Sequence, residues 1–120
     1  MLIFTAAIAL AAQTVAPPAQ RLEAPALTAQ QAASVRCSAA FAMVAQGQAN
    51  GDAAAQAYPA MAERGREYFV RSAARLMDEL ALDRPALEQL IAAEVQRLDA
   101  EDQLAQVMPP CLALLDASGF

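Results

Sequence analysis

A chain of 120 residues with four Phe, two Tyr and no Trp is long enough for one domain and too small for a large core. The net charge of −5 excludes a nucleic-acid-binding role, because backbone phosphates require clustered cations. The chain has no histidine, and all eight basic residues are arginine, so the usual general bases and Schiff-base nucleophiles are missing. We therefore predict a protein that is not an enzyme and has no cofactor and no metal site.

The first segment is an apolar leader at residues 1–12, almost unbroken from Leu2 to Ala12. It is shorter than the roughly 20 residues of a membrane-spanning helix, and small residues suited to cleavage end it. It departs from the usual signal-peptide pattern because no Lys or Arg precedes the apolar run. We predict a cleaved signal peptide and a periplasmic or secreted bacterial protein. The alternatives are an uncleaved membrane anchor and a cytosolic protein.

Residues 13–27 are rich in Pro, Ala and Gln and show no apolar period. This composition predicts a flexible tether. The remaining residues, 28–120, are predicted to form one helical domain.

The first predicted helix runs over residues 28–48. Thr28 and Gln31 have the spacing of a capping box, and the Asn-Gly-Asp sequence at 50–52 predicts a turn. Cys37 lies on the main apolar stripe, yet other apolar residues cover the opposite face as well. Such a helix is either central to the fold or covered by a partner. We therefore consider a protein partner or a homodimer formed through this helix.

The second predicted helix spans residues 57–80, with Pro59 in its first turn, where a missing N–H is tolerated. Gly65 lies on its apolar face, although Gly costs about 1 kcal/mol of helix propensity relative to Ala. We expect the first helix to approach closely at Gly65.

The third predicted helix starts after Asp83, a favourable N-cap residue. Its apolar period slips after Leu98, which predicts a kink or break at residues 99–102. Pro109-Pro110 is predicted to stop the next segment, leaving a short last helix that carries Cys111.

No segment shows the sustained alternation of a β-strand. The predicted fold is all-α: a small antiparallel bundle of three main helices plus a short C-terminal helix, clamped by one disulfide. Gly119 is predicted to adopt a left-handed conformation at the end of that last helix.

The two cysteines, Cys37 and Cys111, are predicted to form this disulfide. Closing so long a loop stabilises a chain by roughly 4 kcal/mol in the chain-entropy model. The cysteines lack CxxC spacing, which gives a redox role little support; free or intermolecular thiols are the alternative. A disulfide also agrees with export to an oxidising compartment.

Glu94 falls inside the apolar stripe of the third helix, and a buried carboxylate must find a partner or take up a proton. Arg36 and Arg66 lie off the main polar faces of their helices. We predict a half-buried ion pair between Glu94 and one of these arginines. The alternatives are simple exposure at the helix edge and a ligand-binding carboxylate.

Four residues on one side of the second helix form a candidate anion-binding stripe suited to phosphate or lipid head groups: Arg64, Tyr68, Arg71 and Arg75. Acidic residues lie among them at helical spacing, so the alternative is a self-neutralised, solvated face.

These observations favour a non-enzymatic exported protein that acts as a protein-interaction or stress-chaperone-like module. In size, helicity and single-disulfide design the chain resembles the small periplasmic acid-stress chaperones of Gram-negative bacteria, in architecture and without a shared motif. The resemblance implies apolar surface exposed in acid, where the net charge moves from −5 towards about +8. The alternative function is a small-ligand or lipid-binding bundle with a pocket near Glu94 and Arg66. Membrane contact is expected only if the leader is not cleaved.

Overall fold

The computed structural model describes residues 26–120, and helices make up most of that range. The predicted leader at 1–12 and most of the predicted tether at 13–27 lie outside the described residues. The helices are α1 (Ala29–Ala49), α2 (Ala53–Gln56), α3 (Arg64–Leu80), α4 (Arg84–Ala100) and α5 (Leu104–Ala117). No strand occurs between residues 26 and 120, so the predicted all-α bundle with one disulfide is confirmed.

Both ends of α1 follow from its sequence. The Thr28 hydroxyl accepts a hydrogen bond from the Gln31 backbone N–H at 3.1 Å, and the Gln31 side chain accepts one from the Thr28 N–H at 3.0 Å. This reciprocal pair is the predicted capping box. At the other end Gly51 has φ +74°, a left-handed conformation that Gly adopts without steric cost. The predicted turn is therefore confirmed.

The helix α1 is the centre of the bundle, because it packs against each of the other four helices. Residues on several sides of it are buried rather than on one stripe: Val35, Cys37, Ser38, Ala39, Ala40, Phe41 and Val44. Its lack of amphipathic pattern is thus explained by neighbours within the same chain.

The single helix predicted over residues 57–80 is wrong at its start: the chain forms the one-turn α2, then an irregular stretch to Glu63, then α3. Pro59 has no N–H to donate and disfavours helical geometry at Tyr58. The side chain of Gln48 holds this stretch instead. Its amide nitrogen donates to three backbone carbonyls and its oxygen accepts from the Met61 N–H. The Gln48 side chain thus bonds backbone groups that would otherwise be bonded within a helix.

Gly65 marks a close approach of α3 to α1, as expected. A Cβ atom at this position would lie 3.3 Å from the Cβ of Phe41 and 3.4 Å from that of Met61. One turn further on, the Phe41 and Tyr68 rings pack edge to face with centroids 5.2 Å apart. The close packing of α3 on α1 at Gly65, together with this ring contact, offsets the helix propensity that Gly65 costs.

The helix α4 begins and ends where the sequence predicts. The Asp83 carboxylate accepts a hydrogen bond from the Ala86 N–H at 2.9 Å and caps the helix. After Ala100 the chain breaks at Asp102, which has φ +50°, and α5 starts two residues later. The predicted break at residues 99–102 is confirmed.

Pro109 and Pro110 do not end a helix, contrary to prediction, because α5 runs through both. Their missing N–H groups would have bonded the carbonyls of Ala105 and Gln106, two exposed residues whose carbonyls water can reach. Buried side chains on the opposite side hold the helix together: Met108, Cys111 and Leu115. The last helix is therefore longer than expected, and Gly119 beyond it has the predicted left-handed φ of +79°.

Candidate functional site

The disulfide joins the central helix to the last one. Cys37 and Cys111 are both about 1% exposed and their Cα atoms lie 5.2 Å apart. Among the residues described there is no free cysteine. A buried disulfide is compatible with an oxidising extracellular compartment. The disulfide accounts for both cysteines as structural residues.

A groove of about 1030 Å³ lies between α4 and α5. Both helices pack on α1 but make at most a marginal contact with each other, so α1 is left uncovered between them. The apolar lining comes from all three helices: Ala33 and Cys37 on α1, Leu90 and Ala93 on α4, Val107 and Leu114 on α5. We call this feature the α4–α5 groove.

Glu94 lies in the α4–α5 groove, but its partner is Arg97 and neither of the two predicted arginines. The Glu94 carboxylate accepts hydrogen bonds from Arg97 Nη2 at 2.6 Å and Nε at 3.1 Å, and its side chain is 17% exposed. Arg97 also contacts Glu101 and Gln103. The predicted half-buried carboxylate is therefore present, and a residue one turn along its own helix neutralises it.

Sequence reasoning missed Arg97, although the spacing of three residues from Glu94 is a signal for such a pair. The hydrogen bonds that Arg97 donates to Glu94 raise the pKa of Arg97 above its usual value, and the negative charges of Glu94 and Glu101 act in the same direction, against the lowering by desolvation. A raised arginine pKa contributes to the stability of the folded protein at every pH below the ordinary arginine pKa. This contribution is lost only as the pH rises through the raised pKa of the folded state. The Arg97 end of this pair therefore stays charged at all physiological pH.

The two arginines predicted to meet Glu94 lie in different places. Arg36 lines the α4–α5 groove and forms no ion pair or hydrogen bond with any residue from 26 to 120. Arg66 is exposed and borders a separate depression of about 260 Å³ between α1 and the start of α3, beside Phe41 and Met61. A single pocket containing both Glu94 and Arg66 is therefore not what the helices form.

The predicted anion-binding stripe divides into two parts. Arg64 is directed to the chain end, with Nε donating to a main-chain oxygen of Phe120 at 3.0 Å and Nη2 paired with Asp116 at 2.9 Å. It thus ties α3 to α5. The other three residues, Tyr68, Arg71 and Arg75, line one cleft of about 480 Å³ between α1, α3 and α5. We call this feature the α3–α5 cleft.

Arg71 is already partly occupied within the α3–α5 cleft. It pairs with Glu67 at 3.0 Å on the solvent side, and its guanidinium carbon lies 4.3 Å above the Phe120 ring. Arg75, in contrast, forms no ion pair among residues 26–120. Glu79, the acidic residue one turn further on, accepts a hydrogen bond from Gln31 at 2.9 Å instead.

No three His, Cys, Asp or Glu side chains within residues 26–120 converge as metal ligands. None of the five helices combines the length and apolar character needed to cross a bilayer. The predicted site residues Arg36, Glu94, Tyr68, Arg71 and Arg75 thus line two of the concavities of the described chain, the α4–α5 groove and the α3–α5 cleft.

The fold and these two surfaces define the class of protein: a small all-α bundle whose central helix is stapled to the last by one disulfide. No protein-family model, curated protein or solved structure matches the chain.

Proposed function

We propose that this protein is a non-enzymatic, exported binding module that holds an apolar helical segment of a partner protein in its α4–α5 groove. The groove carries the proposal because it leaves part of the central helix α1, around Ala33 and Arg36, open to a partner. Leu114 at its rim is 42% exposed, one of two large apolar side chains left so open among the described residues.

The dimensions of the groove agree with a helical occupant. An α-helix about 10 Å across fills about 120 Å³ per residue at its rise of 1.5 Å, so the groove holds roughly two turns. Alanines on the floor and the α4 wall, Ala33 and Ala93, leave room for the larger side chains of an incoming helix. Helix-in-groove binding of this kind relies on an apolar face with few polar contacts.

The charges of the groove define the chemistry of the partner. Two guanidiniums and one carboxylate line it, and Glu94 is neutralised by Arg97. Arg36 therefore remains available at the floor, within a protein whose net charge is −5. A partner helix with a Glu or Asp opposite Arg36 gains a charge-assisted hydrogen bond in partly desolvated surroundings.

A test uses labelled peptides of about 14 residues, four helical turns, with one Leu/Ala face and Glu, Gln or Lys at the central position. In anisotropy titrations we expect the Glu peptide to bind about tenfold more tightly than the Lys peptide. Ala93→Arg fills the groove and weakens all three peptides. Ala92→Arg, at the adjacent exposed position outside the groove, is the matched control and leaves binding unchanged.

Arg36→Gln distinguishes charge recognition from apolar burial, since it removes the preference for Glu while the apolar contacts remain. The proposal fails if no peptide binds saturably, or if Ala92→Arg and Ala93→Arg have equal effects. If Ala93→Arg leaves peptide binding unchanged while the Glu peptide still binds more tightly than the Lys peptide, the acidic residue of the peptide contacts a surface outside the groove.

Export is tested separately, by the intact mass of the protein recovered from a periplasmic extract and alkylated before and after reduction. We expect a mass without the first 12 or so residues and two thiols that alkylate only after reduction. A full-length mass with free thiols would contradict both export and the disulfide in the cell.

A second function, binding of a small amphiphile, is favoured by the position of Arg36 next to an apolar floor. A long-chain carboxylate would place its head group at Arg36 and its chain along Val107 and Leu90. Displacement of the labelled peptide by oleate, lost in Arg36→Gln, would support this function. Failure of oleate to compete would reject it.

A further inference from the structure

We propose that the α3–α5 cleft is a separate anion site that binds the phosphate group of a phosphomonoester. It is lined by residues of α1, α3 and α5 together with Ser118 and Phe120, and it adjoins the α4–α5 groove at Ala33 and Leu114. Two guanidiniums, Arg71 and Arg75, line it, and no Asp or Glu side chain does. The cleft is thus cationic within a protein of net charge −5.

Two buried hydroxyl side chains carry the proposal. Tyr68 is 7% exposed and Ser72 is 8% exposed, and both line the cleft. Neither hydroxyl forms a hydrogen bond with any residue from 26 to 120, although Tyr68 is held in place by its edge-to-face contact with Phe41. Both hydroxyl oxygens keep some contact with solvent, unlike that of Ser38, so they can donate hydrogen bonds to an anion in the cleft without breaking a contact within the protein.

Arg75 supplies the charge that these hydroxyls lack. It forms no ion pair in residues 26–120. Of the acidic residues three and four positions further along α3, Asp78 forms no ion pair with the described residues and Glu79 is bound to Gln31 on α1. Arg71 keeps part of its guanidinium for the cleft, because Glu67 contacts it from the solvent side and Phe120 packs on its face. Donors from two arginines and two hydroxyls outnumber the two oxygens of a carboxylate and suit the three terminal oxygens of a phosphate monoester.

The size of the cleft indicates a substituted phosphate. A volume of about 480 Å³ equals that of about 16 waters at about 30 Å³ each, which exceeds a phosphate group. The rest of the lining is partly apolar, from Leu114, Ala117 and Phe120. The organic portion of the ligand would pack there, whether the phosphate is carried by a soluble ester or by a lipid head group.

The test is a titration of the oxidised full chain, followed by amide NMR, with phenyl phosphate, inorganic phosphate and vesicles. We expect saturable binding of phenyl phosphate, tighter than that of inorganic phosphate, with shifts centred on residues 68–75. Phosphatidylcholine vesicles with and without phosphatidic acid separate the two sources. Binding confined to the phosphatidic acid vesicles assigns the site to a lipid head group, and binding of phenyl phosphate in solution assigns it to a soluble ester.

Variants decide whether the cleft is responsible. Arg75→Gln should raise the dissociation constant about tenfold, and Tyr68→Phe, which keeps the ring against Phe41, about threefold or more. Arg84→Gln is the matched control, since Arg84 is an exposed arginine on α4 whose side chain is 83% accessible. The proposal is overturned if neither phenyl phosphate nor phosphatidic acid binds, or if Arg84→Gln weakens binding as much as Arg75→Gln.

The α3–α5 cleft adjoins the proposed partner groove and shares Ala33 and Leu114 with it, but the charged residues that line the two differ. Ala93→Arg fills the groove and should leave phenyl phosphate binding unchanged, because Ala93 does not line the cleft. A protein that binds peptides but no phosphate, or phosphate but no peptides, would therefore refute one proposal and leave the other standing.

Discussion

Reduction of the Cys37–Cys111 disulfide should lower stability more than any surface change, and its effect should concentrate on α5. That helix packs on α1 and, to a lesser degree, on α3, while its contact with α4 is marginal at most. The disulfide thus connects the least supported long helix to the centre of the bundle.

The magnitude follows from the 74 residues that separate the two cysteines in sequence. The chain-entropy model gives a loss of about 4.5 kcal/mol at 25 °C for a loop of that length. Domains of this size unfold with about 5–15 kcal/mol in total. Reduction should therefore remove between one third and nearly all of the stability, without removing a side chain from the core.

The assay is urea unfolding of the oxidised and reduced protein, followed by circular dichroism, together with native-state hydrogen exchange. We expect the free energy of unfolding to fall by about 4 kcal/mol on reduction and amide protection to fall first in residues 104–117. Cys37→Ala with Cys111→Ala should lose more than reduction does, because it also removes two sulfur atoms that are about 1% exposed.

A loss below about 1.5 kcal/mol would refute the reasoning. It would mean that contacts of Met108 and Leu115 with α1 persist in the unfolded chain and already restrict its conformational freedom as strongly as the cross-link does. A uniform fall in amide protection over all helices would refute the special dependence of α5 on the disulfide.

Three further substitutions test particular contacts by urea unfolding. Ser38→Ala should leave stability unchanged or raise it by up to about 1 kcal/mol, because the buried Ser38 hydroxyl has no hydrogen-bond partner among the described residues. Gly47→Ala should lower it by about 1 kcal/mol or more despite better helix propensity, because the new Cβ would lie 2.7 Å from the Ala55 Cβ. Glu94→Gln should lower it by about 1 kcal/mol, because the half-buried Glu94 holds Arg97 in two hydrogen bonds.

Each substitution has a contradicting result. Destabilisation by Ser38→Ala would mean that the hydroxyl is paired in solution. A more stable Gly47→Ala would mean that α2 moves away from α1 at no cost. Glu88→Gln, which removes a largely exposed pair with Arg84, is the control for Glu94→Gln and should change stability by less than about 0.5 kcal/mol. Equal losses would show that burial of Glu94 adds nothing.

Local chemistry explains why much of the fold was predictable. Capping by Thr28 and Asp83, the turn at Gly51 and the break before α5 depend on residues within a few positions of one another. Such contacts are encoded in short patterns, so the starts of α1 and α4 and the all-α class follow from the sequence. The disulfide was predictable because the chain has two cysteines, each on an apolar helix face.

The errors arose where a distant residue replaced a local rule. Gln48 binds the backbone after α2 and allows the chain to leave helical geometry around Pro59. Burial of Met108 and Leu115 keeps α5 helical through its two prolines. A sequence pattern contains the local cost of a proline but not the tertiary contact that outweighs it.

The same division applies to the candidate sites. The sequence by itself determined which residues carry charge or hydroxyls on each helix, and it marked Glu94, Arg36 and the Tyr68–Arg75 face as unusual. The spacing of Glu94 and Arg97 on one helix also contained their pairing, whereas only the tertiary structure decided that Arg36 faces an open groove and that Arg64 is used to bind α5. The physical reason is that helical periodicity defines the face of each residue, whereas the rotation and spacing of packed helices decide which faces meet.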